Sequence, residues 1–157
     1  MFRTAIGIVF ASGLLVALPN FGLAQQPLAN AGTLTCTLAP GTEEKFGVER
    51  KLSCSFQPLV GRKGRFVGVI KRLGAENPDR AKIVLHWSVR APSTDIALRQ
   101  LEGRYIGRLG SDSPDERPSL IGGKEGKIAL QPLTVDPQLG INAAISILEL
   151  ELRGMKT

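Results

Sequence analysis

The chain has 157 residues, of which 43% are hydrophobic and 22% charged. That balance excludes a disordered polypeptide and allows a single domain with a sizeable core. Twenty Lys and Arg against fourteen Asp and Glu give a net charge of +6, which favours anionic partners and says nothing about fold.

Arg3 precedes an apolar run from Ile6 to Leu18, then Pro19 and Asn20, then the small-residue stretch Gly22-Leu23-Ala24. The run falls short of the roughly 20 apolar residues that a spanning helix needs. It predicts a signal peptide over residues 1–24, cleaved near Ala24, and a periplasmic protein. No second run reaches that length, so no transmembrane segment is expected in the mature chain. Cys36 stands too far beyond the leader to be the acylated cysteine of a lipoprotein.

Residues 25–31 read as a flexible N-terminal arm. Residues 33–38 alternate, with Leu34, Cys36 and Leu38 on one face and threonines on the other, which predicts a half-buried strand. Residues 48–56 do the same with Leu52, Cys54 and Phe56. Residues 57–64 form a turn around Pro58, Gly61 and Gly64, with Arg62 and Lys63 exposed. A third strand covers 65–73, and a loop follows around Asn77-Pro78. The clearest strand is 83–90, where Ile83, Leu85, Trp87 and Val89 alternate with polar partners. Ser93 or Thr94 caps one short helical turn through 96–98.

Strand 101–109 places Gly103, Tyr105 and Gly107 on one face, and such glycines mark a close neighbour or a bend. Residues 110–119 read as a charged, proline-containing loop. Strand 127–135 carries Pro132, which suggests an edge or a bulge. Residues 143–152 close the domain as a strand whose phase slips between Ile147 and Leu148, although their composition would also suit a helix. Residues 153–157 form a polar tail. The prediction is an all-β, single-domain antiparallel sandwich or small barrel of about seven strands, spanning 32–152.

Cys36 and Cys54 both lie on apolar faces, 18 positions apart. In an oxidising compartment they are expected to form one structural disulfide, worth roughly 3 kcal/mol in the chain-entropy view. A redox pair would favour a Cys-x-x-Cys spacing, and a metal site would need more thiols or histidines. His86 is the only histidine, and no serine sits in a nucleophile elbow, so no catalytic residue is assigned. Asp112, Asp115 and Glu116 cluster in the long loop but lack calcium-loop spacing. No metal or other cofactor is expected.

Arg62, Lys63, Arg65, Lys71 and Arg72 form a basic region on one predicted hairpin, joined by Arg104 and Arg108 if the strands are neighbours. The plain reading is a solvated face; the functional one is an anion-binding surface. Aromatic residues are too sparse among them for nucleic-acid stacking. Trp87 and Tyr105 are core residues in a filled barrel and ligand-lining residues in a hollow one.

Four blocks carry a family likeness: Gly32-Thr33-Leu34-Thr35-Cys36; Leu52-Ser53-Cys54-Ser55-Phe56; Leu101 through Gly107; and Gly122-Gly123 with Ile128 through Pro132, followed by Gly140-Ile141-Asn142. In order and spacing they resemble the domain of unknown function 992 family, small exported proteins of Gram-negative bacteria. The segment after Gly110 departs from that pattern, being charged and proline-rich. The resemblance implies one exported domain and transfers no catalytic residue. With one histidine, no thiols beyond the bridge and no nucleophile motif, a noncatalytic periplasmic or envelope-associated binding protein is expected. Its partner would be an anionic envelope component or a small apolar, lipid-like ligand.

Overall fold

The computed structural model describes residues 27–38, 50–73, 83–108, 119–133 and 147–156. They form eight strands: β1 (Ala29–Leu38), β2 (Arg50–Pro58), β3 (Gly64–Leu73), β4 (Ile83–Ala91), β5 (Gly103–Arg108), β6 (Ser119–Gly122), β7 (Ile128–Pro132) and β8 (Ile147–Gly154). One 3-10 turn, Leu98–Gln100, lies between β4 and β5. The strands follow the order β1-β2-β3-β8-β5-β6-β7-β4, and β4 pairs back with β1, so the sheet closes into a barrel. All neighbours are antiparallel. Closure gives each described strand a neighbour on both sides.

Period-two alternation decides which side chains point inward. On β2, Leu52, Cys54, Phe56 and Pro58 are buried, while Lys51, Ser53, Ser55 and Gln57 are exposed. Opposite them on β1, Leu34, Cys36 and Leu38 are buried between half-buried threonines. On β8, Leu150 and Leu152 enter the core, and Glu149 and Glu151 lie on the outer face. The inner faces merge into one cluster that includes Leu34, Phe56, Phe66, Trp87, Tyr105 and Leu150. Eight strands enclose an interior just wide enough for side chains to fill. Small residues sit where large neighbours need room: a methyl group on Gly68 would lie 3.1 Å from Leu52 Cβ and 3.3 Å from Leu152 Cδ2.

Several sequence expectations change. Of sandwich and barrel, the chain forms the barrel, and the described residues form eight strands, in keeping with the expected seven or so. The additional one is β6, which begins at Ser119, the last residue of the expected 110–119 loop. It has only two inward positions, and one of them is Gly122, which contributes no hydrophobic signal. The arm predicted over 25–31 is strand from Ala29 onward, because Ala29 pairs with Ala91 at the end of β4. Arg153 and Gly154, predicted as tail, extend β8 against Val67 and Phe66.

Pro132 does not mark an edge strand, since β7 is paired with both β4 and β6; it ends β7 opposite Trp87. The helical alternative for 143–152 gives way to strand from Ile147, and residues 143–146 lie outside the described residues. The phase slip at Leu148 coincides with a register irregularity: Ile147 pairs with Leu73, Glu149 with Arg72, and Leu150 with Ile70. The helical turn falls at Leu98–Gln100 rather than 96–98. Ser93 does not cap it: its hydroxyl accepts from the Asp95 N–H (3.2 Å), and the Gln100 side-chain oxygen accepts from the Ala97 N–H (2.7 Å).

At one barrel end all three strand connections lie within the described residues, and β1 begins there. This end carries the turn 59–63, the segment 92–102, the turn 123–127 and the residues that follow β8. Segment 92–102 closes this end. Leu101 is fully buried, Ile96 nearly so, and Leu98 packs against the core beside Gly64. Backbone hydrogen bonds tie the pieces together: Lys124 N to Gln100 O (3.1 Å), Leu59 N to Ala31 O (3.0 Å) and Met155 N to Arg65 O (2.9 Å).

Candidate functional site

Cys36 and Cys54 are directly opposed on β1 and β2 and form the predicted disulfide, with Cα atoms 4.0 Å apart and both side chains facing the core. Trp87 and Tyr105 also point inward, and both are fully buried. Trp87 Nε1 has no hydrogen-bond partner among the described residues. The Tyr105 hydroxyl donates to Leu101 O at 2.7 Å, which links β5 to the segment that closes the barrel end.

Burial pushes the Tyr105 phenol above its ordinary range. The neutral form is therefore the one the fold stabilises. That contribution is complete below the unfolded value near 10 and is lost as pH rises beyond it, at about 1.4 kcal/mol per pH unit. Tyr105 is the only tyrosine, so tyrosinate absorbance during alkaline unfolding reports it alone. Absorbance should rise together with unfolding, and Tyr105→Phe should remove that part of the pH slope.

His86 lies on the outer wall, where Nδ1 is 3.1 Å from the hydroxyl oxygen of Thr35, its cross-strand neighbour. Asp112, Asp115 and Glu116 lie outside the described residues. Among the described residues, no three His, Cys, Asp or Glu gather where they could hold a metal ion.

Residues 15–153 match a family described as Protein of unknown function (DUF992). The chain belongs to the DUF992 family. No curated protein and no solved structure matches it.

The DUF992 barrel separates the basic residues that the sequence placed together. Arg62 and Lys63 are exposed in the β2–β3 turn, and Arg65 is exposed at the start of β3 opposite Ser55. Lys71 and Arg72 lie at the far end of the same strand, with Arg65 and Lys71 about 20 Å apart at roughly 3.3 Å per residue. Lys71 also faces the Glu151 carboxylate at 3.7 Å. Arg104 and Arg108 do not join the group, because β8 runs between β3 and β5. Arg104 instead pairs with Glu149 at 2.8 Å. Arg153 holds Glu151 through Nε (2.8 Å) and Nη2 (2.6 Å). That hydrogen bonding, helped by the charges of Arg153 and Lys71, keeps the Glu151 carboxyl below its usual range. Arg62, Lys63 and Arg65 have no ion-pair partner among the described residues.

Beside these three cations lies a feature not singled out from the sequence. Leu59 is 63% exposed, Val60 50% and Met155 51%, the three most exposed large hydrophobics among the described residues. The other three, Val84, Ile106 and Leu133, lie away from this end, on or just beyond the outer wall. The Met155 backbone bonds to Arg65, and Leu59-Val60 leads directly into Gly61-Arg62-Lys63. The available signal was an apolar dipeptide inside a Pro/Gly-bounded turn, where polar residues are the rule.

Proposed function

We propose that this DUF992 protein is an exported, noncatalytic barrel that binds an anionic component of the cell envelope at its described end. The observation that carries this reading is the exposed trio Arg62, Lys63 and Arg65. By contrast, Lys71, Arg104, Lys127 and Arg153 have carboxylates within ion-pair distance. Cations without such partners exert an outward field available to a polyanion.

The barrel wall supports a water-facing role. Its inner face is apolar, and its outer face carries Thr33, Thr35, Ser53, Ser55, Glu149 and Glu151. A membrane-spanning barrel has the opposite polarity, with apolar residues outward. Among the described residues, no helix is long and apolar enough to cross a membrane.

The noncatalytic reading rests on how the reactive groups are placed. Tyr105 is buried and bonded to backbone, the thiols are joined, and the histidine imidazole meets a threonine on the wall. Carriage of a small apolar ligand is the second reading, favoured by the unpartnered Trp87 Nε1. Tight packing around Gly64 and Gly68 weighs against it. A ligand mass retained on the protein in native mass spectrometry would reverse that ranking.

The primary reading is tested on immobilised dextran sulfate, with protein purified after export. Retention should fall steeply with salt, because the Debye length shrinks from about 10 Å at 0.1 M to about 3 Å at 1 M. Arg62→Glu with Arg65→Glu should abolish most of it. Salt-independent retention, or equal retention of the double variant, overturns the assignment.

A further inference from the structure

We infer that the anionic partner of this end is the face of a phospholipid bilayer, into which Leu59, Val60 and Met155 insert while Arg62, Lys63 and Arg65 hold the headgroups. This rests on the anion-binding reading and adds to it the chemistry of the surface bound.

Two observations combine here. Charge at the site is complementary to anionic headgroups, and the cations lack ion-pair partners among the described residues. Exposed apolar side chains stand at the same barrel end as those cations, Leu59-Val60 next to them in sequence and Met155 through its backbone bond to Arg65, and exposed hydrophobics rimmed by polar groups mark an interaction surface. A soluble polyanion or a carbohydrate polymer satisfies the arginines and leaves Leu59 and Val60 in water. A bilayer face satisfies both, since apolar side chains reach the acyl boundary at the depth where basic side chains meet phosphate.

The barrel geometry suits this contact. Leu59-Val60 lies in the hairpin turn between β2 and β3, and its backbone is tied to Ala31 at the start of the barrel wall. Met155 is joined to the same hairpin by its backbone bond to Arg65. Three carboxylates lie on the described segments of this end: Asp95 approaches Gly61, with Oδ1 3.6 Å from where a methyl group there would lie, Glu102 lies against Gly154, and Glu125 pairs with Lys127. The basic side chains Arg99, Lys124 and Lys156 are exposed on the segments of the same end.

The test is co-sedimentation with vesicles of phosphatidylcholine containing phosphatidylglycerol, beside vesicles of phosphatidylcholine alone. The protein should bind the anionic vesicles and bind the neutral ones much more weakly. Leu59→Ser with Val60→Ser should weaken anionic-vesicle binding on the order of tenfold and leave dextran sulfate retention unchanged. Ile106→Ser, an equivalent change on the outer wall, should leave both unchanged. Val60→Trp supplies a second readout that keeps the tip apolar, and a quencher carried on the lipid should dim the added emission.

Undiminished vesicle binding of the double-serine variant, or an unquenched tip tryptophan, overturns insertion. If dextran sulfate retention persists in that case, the anion-binding reading stands without the bilayer. Loss of both vesicle binding and polyanion retention in the unsubstituted protein refutes the two together.

Discussion

Gly122→Ala is expected to lower unfolding stability by about 3 kcal/mol, at the upper end of overpacking costs. Gly122 ends β6 opposite Tyr105. A methyl group there would meet Arg104 O and lie 2.7 Å from Tyr105 Cα. Both are backbone atoms of the neighbouring strand, so no rotamer change relieves the collision. Relief requires β5 to move, yet β5 is also paired along β8 from Gly103 to Ile106. Tyr105 is further anchored by its hydroxyl to Leu101. The weakest seam of the barrel therefore has to open, because β6 contributes only four residues. Denaturant titration checks this: the midpoint should fall with little change in slope. A loss below about 1 kcal/mol would mean that β6 yields easily and that closure does not depend on it.

The second large effect follows from removing the disulfide. Cys36→Ala with Cys54→Ala should cost about 3 kcal/mol through the freed unfolded chain, with some further loss from deleted core volume. The alanine pair is the cleaner experiment, since reductant reaches the buried sulfurs only when the barrel opens. A melting temperature roughly 10 °C lower is expected for a domain of this size. An unchanged melting temperature would show that strand pairing alone holds the β1–β2 hairpin, with Cys36 and Cys54 acting as ordinary small core residues.

Most of the strands were legible from the pattern of residues. β2 and β4 alternate over nearly their whole length, so a short window of either is enough to assign a strand and its inner face. β8 was harder, because Ile147 and Leu148 break the period and Leu, Ile and Glu suit helices as well. Pairing with β3 and β5 settled it by giving its backbone groups partners on both sides. β6 was missed for a related reason: a four-residue strand that turns a glycine inward has no hydrophobic period to detect.

The candidate site was only partly legible. Arg62, Lys63 and Arg65 were recognised and do lie together. Lys71 and Arg72 group with them by nearness in sequence, and Arg104 and Arg108 only on the condition that β3 and β5 are neighbours. The actual neighbour of both strands is β8, which brings the glutamates that pair with Lys71 and Arg104. Leu59, Val60 and Met155 carry little distinguishing sequence signal, because an apolar residue in a turn or tail is ordinary until its exposure is known.

Alternation of apolar and polar side chains is a property of adjacent residues, so the strands, their inner faces and the sulfur-bearing positions could be read along the chain. Closure into a barrel is a property of residues far apart. It required β8 to lie between β3 and β5 and β4 to pair with both β1 and β7. Those pairings also determined which cations acquired carboxylates and which apolar side chains were left facing water. Charge pairing and exposure depend on what the fold brings near, and no local pattern of residues encodes that.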